Sequence, residues 1–173
     1  MAATRILLAP GASGTIEGLQ QHERGLIKRG LSCGLVNLPR GRAERAVPAY
    51  GAALDAEDAA TTIIGGHSFG GRVASLLAAE RRVAGVVLLS YPLHAPGRRE
   101  AWDARTDHWP RIEAPVLLLS GESDPFADLA LLKRAVDKLP DHTLVTYPRV
   151  GHGLSSVLDQ ALDEIAGFMQ RHT

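Results

Sequence analysis

The sequence predicts an α/β fold, a doubly wound and mostly parallel sheet of about six strands with helices on both faces. Six short runs rich in Val, Ile and Leu lack strict polar alternation, which is typical of parallel strands buried on both faces. Longer amphipathic runs lie between them, and such a strand–helix series winds into a parallel sheet. We find no internal repeat and no linker, so the 173 residues are predicted to form one domain, 1–173.

The predicted elements alternate along the chain. The strands are residues 4–9, 32–38, 61–66, 85–91, 115–121 and 142–147. The helices are 16–30, a shorter stretch around 49–60, then 70–82, 128–139 and 155–172. In each helix the apolar residues recur at helical spacing and leave one polar face.

The connection between the fourth and fifth strands departs from this alternation. Residues 92–114 carry several prolines and arginines and both tryptophans, which suits a loop across one end of the sheet. Trp102 and Trp109 could either pack this loop onto the core or line a pocket.

Composition narrows the functional classes. Acidic and basic residues cancel at 19 each, so no overall field favours nucleic acid or an anionic membrane. Cys33 is the only cysteine, which excludes an internal disulfide and a zinc site built from cysteine pairs, and its apolar neighbours predict burial. The apolar run Ile6–Ala9 is too short for a signal peptide, and no segment is long enough to span a bilayer. We therefore expect a cytoplasmic location.

A candidate nucleophile follows the third predicted strand. The stretch IIGGHSFGGRVAS contains Gly66-His67-Ser68-Phe69-Gly70, a full G-x-S-x-G motif followed at once by a helix. In such a turn the serine is strained, and glycines are needed because the helix and a neighbouring strand pass too close for a β-carbon. This context favours a nucleophile at Ser68. The alternative is a glycine-rich turn in which Ser68 only caps the helix.

A serine nucleophile needs a base and a carboxylate that orients the base, and here the order should be Ser, then Asp or Glu, then His. After the fifth strand the sequence reads Gly121-Glu122-Ser123-Asp124-Pro125-Phe126. We predict Asp124 as the acid, with Glu122 and Asp128 as weaker candidates. The alternative role for Asp124 is a helix N-cap, because a proline follows it.

His152 is the predicted base. It lies between two glycines after the sixth strand, and it alone among the histidines falls at a strand end after the acid. Ligands of open α/β sheets bind outside the carboxyl ends of the strands, where all three residues are predicted to lie. Four other histidines are expected at the surface: His22, His108, His142 and His172.

The negative charge of a tetrahedral intermediate needs backbone donors. We predict the N–H of Phe69, at the start of the helix, and that of Ala12, in the loop after the first strand. A phosphate cradle is the other interpretation of this loop, but the sequence has neither G-x-G-x-x-G nor a P-loop lysine. The expected substrate-binding residues are Gly11, Ser13, His94, Trp102, Trp109 and Phe126. For His94, a loop histidine satisfied by the backbone is an equal alternative.

The motifs GGHSFGGRVAS, LLSYPLHAPG and LSGESDPF, with APGASG at the start and GHGL near the end, resemble small α/β-hydrolase-fold proteins related to dienelactone hydrolases. More narrowly, they resemble a bacterial group that shares its domain with a subunit of a histone acetyltransferase complex. The resemblance implies Ser68 as nucleophile, Asp124 as acid and His152 as base. The chain is shorter than a typical member, and we expect it to lack the first two antiparallel strands and a separate cap domain.

These residues predict a serine hydrolase that cleaves small carboxylic esters or thioesters through an acyl-enzyme, with a small-molecule ester as its partner. The chemistry requires no metal and no organic cofactor. A perhydrolase-like activity would use the same residues. The alternative from another class is a catalytically idle scaffold that binds a protein partner, but the presence of all three residues favours an enzyme.

Overall fold

The structure is a computed structural model that describes residues 5–172, so residue 4 of the first predicted strand lies outside the described range. The strands are β1 (Arg5–Ala9), β2 (Ser32–Leu35), β3 (Thr62–His67), β4 (Gly85–Leu89), β5 (Val116–Gly121) and β6 (His142–Tyr147). They form one sheet in the order β2-β1-β3-β4-β5-β6, and every neighbouring pair is parallel. The predicted fold class is confirmed.

The helices are α1 (Gln20–Lys28), α2 (Ala43–Asp55), α3 (Phe69–Glu80), α4 (Trp102–Arg105), α5 (Leu129–Ala135) and α6 (Leu158–Arg171). Short 3₁₀ turns precede α1 and α6 and follow α5. Helix α2 begins several residues before the predicted stretch and contains Pro48. The proline removes one helical hydrogen bond, but Ala43, Ala46 and Tyr50 are buried on one side of the helix and hold it against the sheet.

The sheet is covered on both faces, which explains why its strands lack polar alternation. Ile6 and Leu8 point to one face, where they join a core with residues of α1 and α6. Leu7 and Ala9 point to the other face, where the core includes residues of α2, α3 and α5. Alternate residues of a strand face opposite sides, so both sets must be apolar. Cys33 is buried in the first core as predicted, and burial raises the pKa of its thiol to about 12.

The connection from 92 to 114 is held down by specific contacts. Trp109 is fully buried and packs edge-on against Tyr91, with ring centroids 4.9 Å apart. The Tyr91 hydroxyl donates to the carbonyl of Arg105 at 2.6 Å. His108 is buried, with its Nε2 2.8 Å from the hydroxyl of Ser75 on α3. The expectation of a surface position for His108 was therefore wrong, because the loop folds back onto α3 instead of lying in solvent.

Strand order reverses at β1, which has β2 on one side and β3 on the other. In an open parallel sheet this switch point opens a crevice outside the carboxyl ends of the strands. The loop after β1 and the turn after β3 both lie there. Within residues 5–172, none of the helices has the length and apolar character needed to cross a membrane.

Candidate active site

Ser68 occupies a strained turn between β3 and α3. Its φ is 49° and its ψ is −114°, a conformation that residues with a side chain rarely adopt. The Ser68 N–H donates to the carbonyl of Leu89, at the end of β4, at 2.8 Å. The neighbouring strands stabilise this unfavourable backbone conformation, and conformations of this kind concentrate at functional sites.

The glycines around Ser68 are required by the packing of β1. A β-carbon added at Gly66 or at Gly70 would overlap the backbone carbonyl of Ala9, the last residue of β1. At Gly66 it would also lie 2.7 Å from the carbonyl carbon of Gly70. The turn can approach β1 this closely only because both positions lack a side chain.

The structure brings Ser68, His152 and Asp124 together. His152 Nε2 lies 2.9 Å from Ser68 Oγ, and His152 Nδ1 lies 2.8 Å from Asp124 Oδ2. The Asp124 side chain is fully buried, whereas a quarter of the His152 side chain is exposed. The other carboxylate oxygen, Asp124 Oδ1, accepts the N–H of Phe126 at 2.8 Å. Both carboxylate oxygens are thereby occupied and the orientation of Asp124 is fixed.

This arrangement sets the direction of the hydrogen bonds. A carboxylate only accepts, so His152 Nδ1 carries the proton that Asp124 receives. The unprotonated Nε2 is then free to accept the hydroxyl proton of Ser68. The imidazole is thus held in the tautomer that can act as a base toward this serine.

The two weaker acid candidates lie elsewhere. Glu122 is exposed and accepts the hydroxyl of Thr146 at 2.8 Å. Asp128 is the N-cap of α5, where it accepts the N–H of Leu131 at 3.1 Å. The N-cap role considered for Asp124 therefore belongs to Asp128. Asp124 itself closes a tight turn through its bond to the N–H of Phe126.

Two grooves meet at Ser68, and both are also lined by Ala12 and Phe126. The first, which we call the apolar groove, has a volume of about 570 Å³ and runs past His152 toward Leu19, Leu154 and Leu158. Gly11 and Ser13 line it as well. The phenyl ring of Phe126 lies against the imidazole of His152, with ring centroids 4.4 Å apart.

The second groove, the basic groove, has a volume of about 670 Å³ and is lined by Phe69 and by Arg42, Arg72 and Arg105. Ala12 and Phe69 both face it beside Ser68. Phe69 is the first residue of α3, so its N–H has no partner within the helix. Pro92, Ala101 and Ala104, from the connection after β4, complete the wall.

The structure does not place His94, Trp102 or Trp109 in either groove, which corrects their assignment to substrate binding. His94 is buried and accepts the N–H of Asp128 at 3.0 Å. The backbone N–H of His94 donates to the carbonyl of Phe126 at 3.1 Å. This is the backbone-satisfied alternative, in which His94 ties the end of β4 to the loop that carries Asp124.

Trp102 and Trp109 pack the connection between β4 and β5 onto the core, which is the alternative to lining a pocket. Trp109 is fully buried, so it presents no surface to a ligand. The Trp102 ring lies beneath Lys138 and Arg134, with the Lys138 ammonium 4.8 Å and the Arg134 guanidinium carbon 5.3 Å from its centroid. Cation–π contacts of this kind anchor α4 against the end of α5.

His67 is a site residue to which sequence reasoning gave no role. Its Nε2 lies 3.1 Å from the backbone carbonyl of His152, and the two rings are 5.2 Å apart. Because a carbonyl only accepts, His67 donates this bond. Burial lowers the pKa of His67, although its hydrogen bond to the His152 carbonyl opposes this shift. Its position at the end of β3, directly before Ser68, was the available signal.

His22 also lines the apolar groove, where the sequence predicted a surface position. Burial lowers its pKa to about 4, so the ring is neutral near pH 7. Its Nδ1 is buried and has no hydrogen-bond partner. Within residues 5–172, no three His, Cys, Asp or Glu side chains are grouped so that they could hold a metal ion.

The site geometry can be compared with known proteins. The profile of a family described as an alpha/beta hydrolase domain matches residues 37–170, which is most of the chain. The chain belongs to this alpha/beta hydrolase family. The matched region includes Ser68, Asp124 and His152 and ends within α6.

Solved structures share the fold at low sequence identity. A dienelactone hydrolase from Anabaena variabilis is 21% identical with a TM-score of 0.81, over 99% of this chain and 87% of that one. A monoacylglycerol lipase from Paleococcus ferrophilus is 16% identical with a TM-score of 0.81, over 98% of this chain and 95% of that one. Est1E from Butyrivibrio proteoclasticus is 15% identical with a TM-score of 0.81, over 98% and 88%.

These similarities confirm the predicted relation to α/β-hydrolase-fold proteins, a dienelactone hydrolase among them. Membership of the family supports hydrolase activity in general. The narrower likeness to a histone acetyltransferase complex subunit stays a prediction.

Proposed function

We propose that this protein is a serine hydrolase that cleaves small carboxylic esters or thioesters through a covalent acyl-enzyme on Ser68. The observation that carries the proposal is the Ser68–His152–Asp124 series, with Oγ 2.9 Å from Nε2 and Nδ1 2.8 Å from the carboxylate. The series lies at a positive-φ turn that faces two open grooves. Geometry of this kind gives an activated nucleophile.

The first half of the reaction forms the acyl-enzyme. His152 Nε2 takes the Ser68 proton as Oγ attacks the carbonyl carbon, and the oxygen of the tetrahedral intermediate becomes negative. When the intermediate collapses, the same Nε2 returns the proton to the departing alcohol or thiol. Asp124 accepts the hydrogen bond from Nδ1–H throughout, and its negative charge stabilises the imidazolium.

The second half releases the acid. Water enters, His152 takes one of its protons, and the hydroxide oxygen attacks the acyl carbon on Ser68. Collapse of this second intermediate returns the proton to Ser68 Oγ and frees the carboxylic acid. In both intermediates the N–H groups of Ala12 and Phe69 are the proposed donors to the negative oxygen. Removing one such donor typically costs about 3 kcal/mol of transition-state stabilisation.

His67 acts in this scheme as a positioning residue. His152 lies between two glycines, so the backbone around it has few constraints of its own. The bond from His67 Nε2 to the His152 carbonyl joins this segment to the end of β3. Burial lowers the pKa of His67, which disfavours a second positive charge beside the imidazolium of His152.

The first test is the intact mass of the protein after incubation with a fluorophosphonate. We expect one adduct on Ser68 in the native chain and none in Ser68→Ala or His152→Ala. Ser75→Ala is the matched control, because Ser75 also contacts a histidine but lies buried on α3; it should still be labelled. A folded native chain that forms no adduct would favour the idle scaffold with a protein partner.

The proposal also includes a cytoplasmic location.

A further inference from the structure

The basic groove carries more positive charge than its own carboxylates neutralise. Arg42, Arg72 and Arg105 line it together with a single acid, Glu44. Glu44 Oε1 lies 3.1 Å from Arg72 Nη2 and pairs with that side chain. Among residues 5–172, no carboxylate lies within ion-pair distance of Arg105. The groove therefore has an excess of guanidinium groups directly beside the nucleophile.

Arg105 is the member of this set that is best placed to meet a ligand. It is half-buried, and its Nη1 donates to the carbonyl of Pro92 at 3.1 Å, which fixes the guanidinium in the wall of the groove. Burial lowers its pKa, and the nearby Arg72 acts in the same direction. A fixed guanidinium that faces a second one, with further N–H groups to donate, is a receptor for an anion.

The position of His152 decides which part of a substrate enters each groove. The departing oxygen must receive its proton from His152 Nε2, so the leaving group lies on the His152 side. His152 lines the apolar groove and does not line the basic one. The acyl chain then extends from Ser68 past Phe69 into the basic groove, toward Arg72 and Arg105.

We propose that the basic groove binds a carboxylate at the far end of the acyl chain, so that the preferred substrates are half-esters of dicarboxylic acids with an apolar alcohol. One carboxylate matches Arg105, the half-buried guanidinium of this groove that has no acidic partner among residues 5–172, and a planar carboxylate fits the fork of an arginine. This inference rests on the proposed serine hydrolase function. Hydrolysis of such a half-ester consumes one water and yields the alcohol and a dicarboxylate.

The test compares esters of matched chain length. Monoethyl glutarate and monoethyl adipate carry the terminal carboxylate, and ethyl valerate and ethyl hexanoate replace it with a methyl group. We expect kcat/KM to be at least about tenfold higher for the half-ester of one or both pairs, as suits a charge-assisted pair at a partly buried site. The preference should shrink between about 0.05 M and about 0.5 M NaCl.

Arginine variants identify the source of the preference. Arg105→Met should lower the half-ester to neutral-ester ratio by about tenfold, while Arg105→Lys should keep part of it because the charge remains. The ratio is measured within one preparation, so any loss of folded protein cancels. Arg98→Met is the matched control, since Arg98 lies on the same connection, is exposed and pairs with Glu100; its ratio should equal that of the native chain.

Each other outcome overturns a defined statement. Equal rates for charged and neutral esters, or a ratio that is unchanged in Arg105→Met, would overturn the carboxylate site and leave the serine hydrolase intact. A preference for an ester whose carboxylate lies on the alcohol, such as the hexanoyl ester of 3-hydroxypropanoate over propyl hexanoate, would overturn the assignment of the two grooves. Failure to cleave any ester, together with failure of fluorophosphonate labelling, would overturn the hydrolase proposal itself.

Discussion

Two serine–histidine hydrogen bonds of nearly equal length lie along α3. Ser68, at its N-cap, lies 2.9 Å from His152, and Ser75, in its middle, lies 2.8 Å from His108. The Ser75 hydroxyl already donates to the carbonyl of Arg72 at 2.7 Å, so His108 Nε2 must donate to its oxygen. His152 Nε2 accepts the hydrogen bond from the hydroxyl of Ser68, whereas His108 Nε2 donates its hydrogen bond to the hydroxyl oxygen of Ser75. The direction of the hydrogen bond, which the distance does not reveal, separates the proposed nucleophile Ser68 from the structural contact of Ser75.

The surroundings of the two imidazoles produce this difference. His152 faces the buried carboxylate of Asp124, which holds the proton on Nδ1. His108 is buried near Arg72 and Arg111, and burial followed by these positive charges lowers its pKa to about 4. A carboxylate favours the imidazolium that catalysis requires, whereas burial beside guanidinium groups excludes it.

The largest expected effect comes from removing each histidine in turn. His152→Ala should lower kcat/KM for an ester by about 10⁴-fold or more, because no other group can take the Ser68 proton. His108→Ala should leave kcat/KM per labelled Ser68 within about threefold and lower stability instead. Ester kinetics and denaturant unfolding on both variants test the comparison. A strong loss of turnover in folded His108→Ala would contradict it.

Asp124→Asn should reduce kcat by about 10²- to 10⁴-fold, because the amide can donate to Nδ1 and stabilise the wrong tautomer. His152 would then resemble His108, a histidine without a carboxylate partner. The measurement is kcat from saturation kinetics, with labelling of Ser68 by fluorophosphonate as a second readout. Glu122→Gln is the control, since Glu122 contacts Thr146 and not His152, and its kcat should not change.

The pH dependence of stability should report His108. Its pKa is about 4 in the folded protein and about 6.5 when unfolded, so below pH 6.5 the unfolded chain binds more protons. The free energy of unfolding therefore falls as the pH is lowered from about 6.5 to about 4. This group contributes about 2 to 3 kcal/mol to that fall. His22 has the same shift and the pKa of His67 is also lowered, so His108→Gln should flatten the slope in part and not abolish it. Urea unfolding across this range measures it.

The smallest expected effect is that of Ser75→Ala. The substitution leaves the buried Nε2–H of His108 without an acceptor, which should cost about 1 to 3 kcal/mol of stability. Thermal unfolding measures the cost, and labelling of Ser68 should be unchanged. A stability equal to that of the native chain would mean that His108 finds another acceptor within the connection after β4.

The sequence was sufficient to place the groups that follow strands. Ser68, Asp124 and His152 each lie within a few residues of a strand end, and the carboxyl ends of parallel strands share one edge. The residues of the connection after β4 were placed less well. The burial of Trp109 and His108 depends on contacts with Tyr91 and Ser75, which are distant in the sequence. No local pattern encodes such contacts.

Contacts between residues that are distant in the sequence also explain the other differences between the predicted and the observed structure. Arg72 and Arg105 meet in one groove only because α4 folds back beside the first turns of α3, so the basic groove was not visible in the sequence. His94 was left open between a pocket and a backbone contact, and its bond to the N–H of Asp128 decided the matter. Helix α2 begins before the predicted stretch around 49–60, because burial of the residues that precede Pro48 outweighs the one hydrogen bond that the proline removes.

The glycines beside Ser68 approach the carbonyl of Ala9 closely, so the conformation of the proposed nucleophile depends on the position of the first strand. We expect Ser68 to keep its unfavourable φ only while β1, β3 and β4 are assembled around it, because its N–H bonds to Leu89 of β4 and its neighbouring glycines pack against Ala9 of β1. Local opening of the seam between β1 and β3 would let the serine relax before the domain melts. We therefore expect activity to be lost at lower urea than helical circular dichroism, and during refolding to return after it.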